Sequence, residues 1–160
     1  MEICGIMMGQ QQQGYNKQDG KNALREFYAT GLNCSHRYEG LVDYIPVKYS
    51  NAVEIGIGHF PDVAFALLER DVHLFATDIL PFHYTGLKVV VDDITQPNLS
   101  LYKKIDLIYS LRPPPELIPY VIRLARILSA NLIVKPLSSE HPGGQLIRHG
   151  NTAFFIWNYL

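Results

Sequence analysis

The chain has little that could brace it covalently. Its 160 residues include only two cysteines, Cys4 and Cys34, both in the first quarter. Neither a disulfide framework nor a thiolate metal motif is expected, and a reducing compartment is the default. An excess of one charge is lacking as well, since 14 basic and 15 acidic residues leave a formal charge of −1. That removes the general footprint of a nucleic-acid binder, though a local basic patch stays compatible with it. No apolar run approaches the ~20 residues of a membrane span. The opening "MEICGIMMG" has neither a basic leader nor an apolar core of signal-peptide length. A cytoplasmic protein is the expectation. Six histidines lie scattered, without the paired spacing of zinc ligands, so no metal is expected.

What the chain does have is apolar content, at 48%, enough for one core in a domain of this length. Residues 1–20, "MEICGIMMGQQQQGYNKQDG", are polar, Gln-rich and aperiodic, and predict a disordered tail. Residues 21–50 predict a helical segment, with short helices over 22–28 and 38–49 around a break at Gly31. From Asn51 onward, residues 51–160 alternate between strands and helices. "AVEIGI", "VHLFAT", "LKVVV", "KIDLIYS" and "NLIVKPL" read as five strands. "PDVAFALLER" and "PELIPYVIRLARILSA" read as helices, with Pro61 and Pro119 in first turns, where a missing N–H costs least. Val63, Ala64, Leu67 and Leu68 form the apolar face of the first, and Leu117, Val121, Leu124 and Leu128 that of the second. "QLIRHGNTAFFIWNYL" reads as two strands joined at "HGN", with its aromatics alternating as in a half-buried strand. The fold class is α/β: a reduced, Rossmann-like, doubly wound and mainly parallel sheet with a C-terminal antiparallel hairpin.

Ligands of such sheets bind beyond the carboxyl ends of the strands, near the point where strand order reverses. Four strand ends carry polar or glycine chemistry. The first is Glu54-Ile55-Gly56-Ile57-Gly58. Gly56 and Gly58 allow a sharp turn and close approach of a ligand. Pro61 stands where a dinucleotide fingerprint needs its third glycine, and the Glu54 carboxylate would repel phosphates. A phosphate-free, cationic cofactor such as S-adenosylmethionine suits that corner better. A plain strand-end turn accounts for the glycines equally well. The second corner is Asp78, twenty residues after Gly58, the spacing at which an acid reaches ribose hydroxyls. A turn cap is the alternative. The third is Asp92-Asp93, where Asp93 could accept from an adenine amine while Asp92 caps the turn, or both could simply face water. The fourth is "YSLRPPPE", where Tyr109 or Ser110 could position an acceptor and Arg112 could hold an anionic group.

Taken in order, "VEIGIG … ATDI … VVDDIT … LIYSLRPPPEL … KPL" resembles a small uncharacterised archaeal protein family with a Rossmann-like fold. More broadly, residues 51–160 resemble a reduced class I S-adenosylmethionine-dependent methyltransferase. The resemblance implies cofactor binding by Glu54, Gly56, Gly58, Asp78 and Asp93, with Tyr109, Ser110 and Arg112 as the catalytic, acceptor-facing set. It implies a small-molecule cofactor and an unidentified acceptor, with no membrane and no strong nucleic-acid signal. The chain departs from the pattern in four places. The helix between strands two and three is nearly absent, as is that between five and six. Phe60 replaces a third glycine. "RPPP" does not match the Asn, Asp or Ser, two prolines and an aromatic of amino-methylating enzymes. A non-catalytic adenosine-ligand-binding or interaction module is therefore the alternative, with a nicotinamide-dependent enzyme third.

Overall fold

A computed structural model describes residues 36–137, 139 and 141–160. The expected tail, the helix over 22–28 and both cysteines lie outside the described residues. Seven strands form one sheet: β1 (Asn51–Ile55), β2 (His73–Asp78), β3 (Val89–Val91), β4 (Leu107–Leu111), β5 (Asn131–Lys135), β6 (Gln145–His149) and β7 (Thr152–Trp157). Their order is β3-β2-β1-β4-β5-β7-β6. The first five pair in parallel, and β7 runs antiparallel between β5 and β6. The parallel sheet with a closing antiparallel hairpin is thus as expected, and the chain changes direction across the sheet between β1 and β4.

Helices cover both faces, which is why β1, β4 and β5 are nearly continuous apolar runs with no polar side. The helices α1 (Glu39–Lys48) and α2 (Asp62–Glu69) cover one face, burying Leu41, Ile45, Val63 and Leu67 against Ala52, Leu107 and Ile133. The helix α3 (Ile118–Leu128) covers the other, burying Val121, Leu124 and Ala125 against Val53, Ile108 and Leu132. Pro61 stands at the N-cap of α2, ahead of the first helical turn. That helix is buried more widely than four positions, because Phe65 also packs with Ile57 and Leu87 under the 79–88 loop. In α3 the buried positions are Ile118, Val121, Leu124 and Ala125. Leu117 falls in a short 3-10 turn ahead of the helix and Leu128 in its last turn, so both are only half-buried.

One sequence expectation is corrected here. The strand β7 is not half-buried: Phe154, Phe155 and Ile156 are all buried, because β7 lies inside the sheet rather than at its edge. Polar side chains tie the strand starts together. Asp106 accepts from the Ser50 and Asn51 N–H groups at 3.0 Å each, and Asn131 Oδ1 accepts from those of Tyr159 and Leu160 at 2.8 and 2.9 Å.

At its start α1 approaches the β6–β7 turn through Gly40, whose N–H donates to Thr152 Oγ1 at 3.0 Å. A Cβ there would lie 1.8 Å from the His149 carbonyl oxygen, a backbone atom that cannot step aside. Gly40→Ala is therefore expected to destabilise the fold by about 2 kcal/mol or more, read as a lower denaturant midpoint. An unchanged midpoint would contradict this docking.

Candidate functional site

The first corner is set by register. Ile55 lies opposite Thr77, and the Gly56 and Ile57 N–H groups both donate to the Thr77 carbonyl, at 2.8 and 3.2 Å. Gly56 and Gly58 have φ of +75° and +52°, a region other residues enter at a cost. A Cβ added at either would meet nothing within 4 Å, so the space above the bend is open. Asp78, closing β2, then grips the bend. Its Oδ2 accepts from the Gly58 N–H at 2.9 Å and its Oδ1 from the Leu80 N–H at 3.0 Å. Tyr84 adds a second clasp, its hydroxyl donating to the Gly58 carbonyl.

The third corner follows from β3. The Asp92 N–H donates to the Asp78 carbonyl at 3.0 Å, which brings the two corners side by side. The two acids divide their work differently from the sequence expectation. Asp92 reaches forward to accept from the Asn98 N–H at 3.0 Å and from the Tyr102 hydroxyl. It is Asp93 that caps the local turn, its Oδ1 accepting from the Thr95 hydroxyl at 2.7 Å and N–H at 2.9 Å. Those bonds, the hydroxyl's first, hold the Asp93 carboxyl below its ordinary pKa, so it stays an ionised acceptor.

A cleft of about 430 Å³ opens over these strand ends, within the range of small-molecule sites. Of the expected residues, Gly56, Asp78, Asp93, Ser110 and Arg112 line it. Gly58 stands just behind its wall, bonded to Asp78. Sequence reasoning missed its apolar rim: Ile79, 64% exposed, and the half-buried Ile94. Each follows an acid directly, a signal available in the sequence. A wider depression of about 1060 Å³ lies elsewhere, against Asn51 and His73 at the amino ends of β1 and β2. A parallel sheet does not assemble its site at that end.

Glu54 and Tyr109 are placed apart from the cleft. They are register partners on β1 and β4, 1% and 0% exposed, and the Tyr109 hydroxyl donates to Glu54 Oε2 at 2.7 Å. Strand alternation turns both toward the face covered by α1 and α2. Burial pushes the Glu54 carboxyl up to about 8, against a smaller opposing effect of the Tyr109 bond. At neutral pH Glu54 is thus largely a neutral acid, which neither repels phosphate nor attracts a cation. Ser110 does reach the cleft, with its hydroxyl donating to the Ile55 carbonyl at 2.8 Å. Arg112 has φ of +51°, its N–H donates to the Lys135 carbonyl at 2.7 Å, and its guanidinium lies 5.7 Å from the Phe60 ring centre. His59 is exposed and packs edge-on against Phe82, at 4.8 Å between ring centres. Among the described residues no cluster of three His, Cys, Asp or Glu could hold a metal, and no helix is long and apolar enough to cross a membrane.

Residues 41–157 match UPF0146, an uncharacterised protein family. The chain belongs to that family. A UPF0146 protein of Archaeoglobus fulgidus is 37% identical over 118 residues, covering 72% of this chain and 91% of its own. One from Methanocaldococcus jannaschii is 45% identical over 95 residues, 56% of this chain and 68% of its own. Both are archaeal. Among solved structures, the sugar N-methyltransferase from Streptoalloteichus is similar over 92% of this chain and 66% of its own, with a TM-score of 0.49 and 11% identity. An S-adenosylmethionine-dependent methyltransferase from Clostridium acetobutylicum is similar over 86% and 68%, with a TM-score of 0.49 and 15% identity. The chain spans about two thirds of each of these enzymes. In this UPF0146 member every candidate residue named above falls within the matched span.

The buried acid has a pH signature. The folded pKa of Glu54 lies above the ordinary 4.5, so between those values the folded protein keeps a proton that the unfolded chain has lost. Stability from this site is full at low pH and declines as pH rises from about 4.5 to about 8. The melting temperature of the wild type relative to Glu54→Gln should fall across that window. Parallel pH profiles for the two proteins would contradict a buried, protonated Glu54.

Proposed function

We propose that this protein is an S-adenosylmethionine-dependent methyltransferase. One observation carries the proposal: the backbone donors of the glycine bend are spent inside the protein. The Gly56 and Ile57 N–H groups go to Thr77, that of Gly58 to Asp78, and that of Phe60 to Ile57. Behind the bend, Pro61 leaves the N-cap of α2 without an N–H, and Asp62 puts a carboxylate in its first turn. A dinucleotide pyrophosphate needs those donors. What the bend and the two acid corners present to the cleft is acceptors and apolar edges, which suit a diol, an aromatic amine and a positive centre without phosphate; Arg112, which also lines it, is assigned to the acceptor.

The residues present fit the cofactor. Asp78 takes one N–H on each oxygen, and each oxygen retains a further lone pair for a ribose hydroxyl. Asp93 would accept from the adenine amine, its bonds to Thr95 falling on a single oxygen. Ile79 and Ile94 offer apolar surface to the base. Gly56 gives the backbone close approach, with Gly58 bracing it. Tyr109 holds the Glu54 carboxyl in the buried face of the sheet, and neither touches the ligand in this assignment. Bound there, the cofactor supplies a methyl group on a sulfonium centre. The chain's contribution is alignment and exclusion of water, where well-oriented reactants gain most of their rate. Ser110 and Arg112 shape the side from which the acceptor approaches.

The second reading, a non-catalytic adenosine-ligand module, rests on a specific observation too. The Tyr109 and Ser110 hydroxyls both donate within the sheet, so the expected acceptor-facing set supplies no general base. Methyl transfer to a good nucleophile does not require one.

Calorimetry distinguishes the candidates. S-adenosylhomocysteine should bind and NAD should not, and Asp78→Ala should weaken the former by about 1–3 kcal/mol. Micromolar NAD binding without any response to S-adenosylhomocysteine would overturn the proposal, and transfer of labelled methyl groups separates enzyme from module.

A further inference from the structure

We infer that the acceptor is an apolar molecule carrying an anionic group, seated in a second cleft beside the first. The inference rests on the methyltransferase reading and adds the chemistry of its second substrate. A cleft of about 800 Å³ lies between the 112–119 segment, α3 and the segment after β5. It shares Arg112, Pro113 and Pro114 with the cofactor cleft, so the two sites meet across one wall.

Its lining has two components. One is apolar and stiff: six prolines, with Ile118, Ile122 and Leu137. Fixed proline φ angles mean that little backbone freedom is lost when a ligand settles against them. The other is cationic. Arg112 and Arg126 line the cleft, His141 joins them, and no described carboxylate does. Neither arginine forms an ion pair with a described residue, whereas Arg70 pairs with Asp43 at 2.9 Å.

Both guanidinium groups are also held in place. Arg112 lies over Phe60, and Arg126 lies 5.7 Å from the Tyr159 ring centre while its Nε donates to the Tyr159 hydroxyl at 3.2 Å. Aromatic support fixes each plane and leaves the terminal donors for a planar anion. Two cations without a carboxylate partner among the described residues, set against apolar walls, favour an anion and disfavour a cationic acceptor. A neutral acceptor would fill the apolar part and leave both charges uncompensated.

The test uses the full chain and 6-hydroxy-2-naphthoate as probe, with its neutral amide, 6-hydroxy-2-naphthamide, as control. Calorimetry should give the naphthoate an affinity about tenfold above that of the amide. Arg126→Gln should reduce that preference several-fold, with Arg112 still in place, and leave S-adenosylhomocysteine binding intact as evidence of folding. Equal affinities, or a preference undiminished in Arg126→Gln, would overturn the inference while S-adenosylhomocysteine binding keeps the cofactor reading. Selective naphthoate capture by a protein that binds no S-adenosylhomocysteine would overturn the acceptor role together with the reading it rests on.

Discussion

The Asp78 carboxylate holds the bend that follows β1, and the rest of the site depends on that grip. Parallel pairing places Ile55 opposite Thr77, so the next residue of β2 arrives beside the glycines. Asp78 then takes the Gly58 N–H, Thr77 takes those of Gly56 and Ile57, and Tyr84 closes on the Gly58 carbonyl. The bend is thus a finished hydrogen-bonded unit before any ligand arrives. Its outer surface offers the cleft open space and carboxylate oxygens rather than N–H groups. That inversion separates this corner from a phosphate cradle, although both use glycines after a first strand.

Much of this was legible because it is local or periodic. The Gly-x-Gly pair, the acid twenty residues on and the buried strands come from spacing that a parallel sheet converts directly into neighbourhood. The faces of individual strand residues were less legible. Tyr109 and Ser110 are adjacent, so they point to opposite sides of β4, and of the two Ser110 lines the cleft. Only the pairing of Glu54 with Tyr109 reveals which one turns away. The burial of Phe154, Phe155 and Ile156 depends on the insertion of β7 between β5 and β6, a long-range fact that no window of the chain contains. The division of labour between Asp92 and Asp93 turns on Tyr102, ten residues away, which bonds the first of them.

Glu54 shows why an acid at a strand end need not be a ligand group. Burial keeps it protonated near neutrality, and its register partner supplies the hydroxyl that binds it. Buried on the face that α1 and α2 cover, it serves packing, while the exposed Asp93 and part-exposed Asp78 are left as the acceptors facing the cleft. Helix is scarce between β2 and β3, where the 79–88 loop stands in its place. The site is therefore built from strand ends and short turns, with prolines stiffening the side toward the second cleft.

Hydrogen exchange of the full chain with and without S-adenosylhomocysteine tests the central claim most directly. A shared pocket around the bend calls for slowed exchange at 56–58, 78–80 and 93–95 together, with the 73–75 and 101–105 segments around the wider depression unchanged. Protection confined to that depression, or a ligand that protects one corner and leaves the other two untouched, would contradict it.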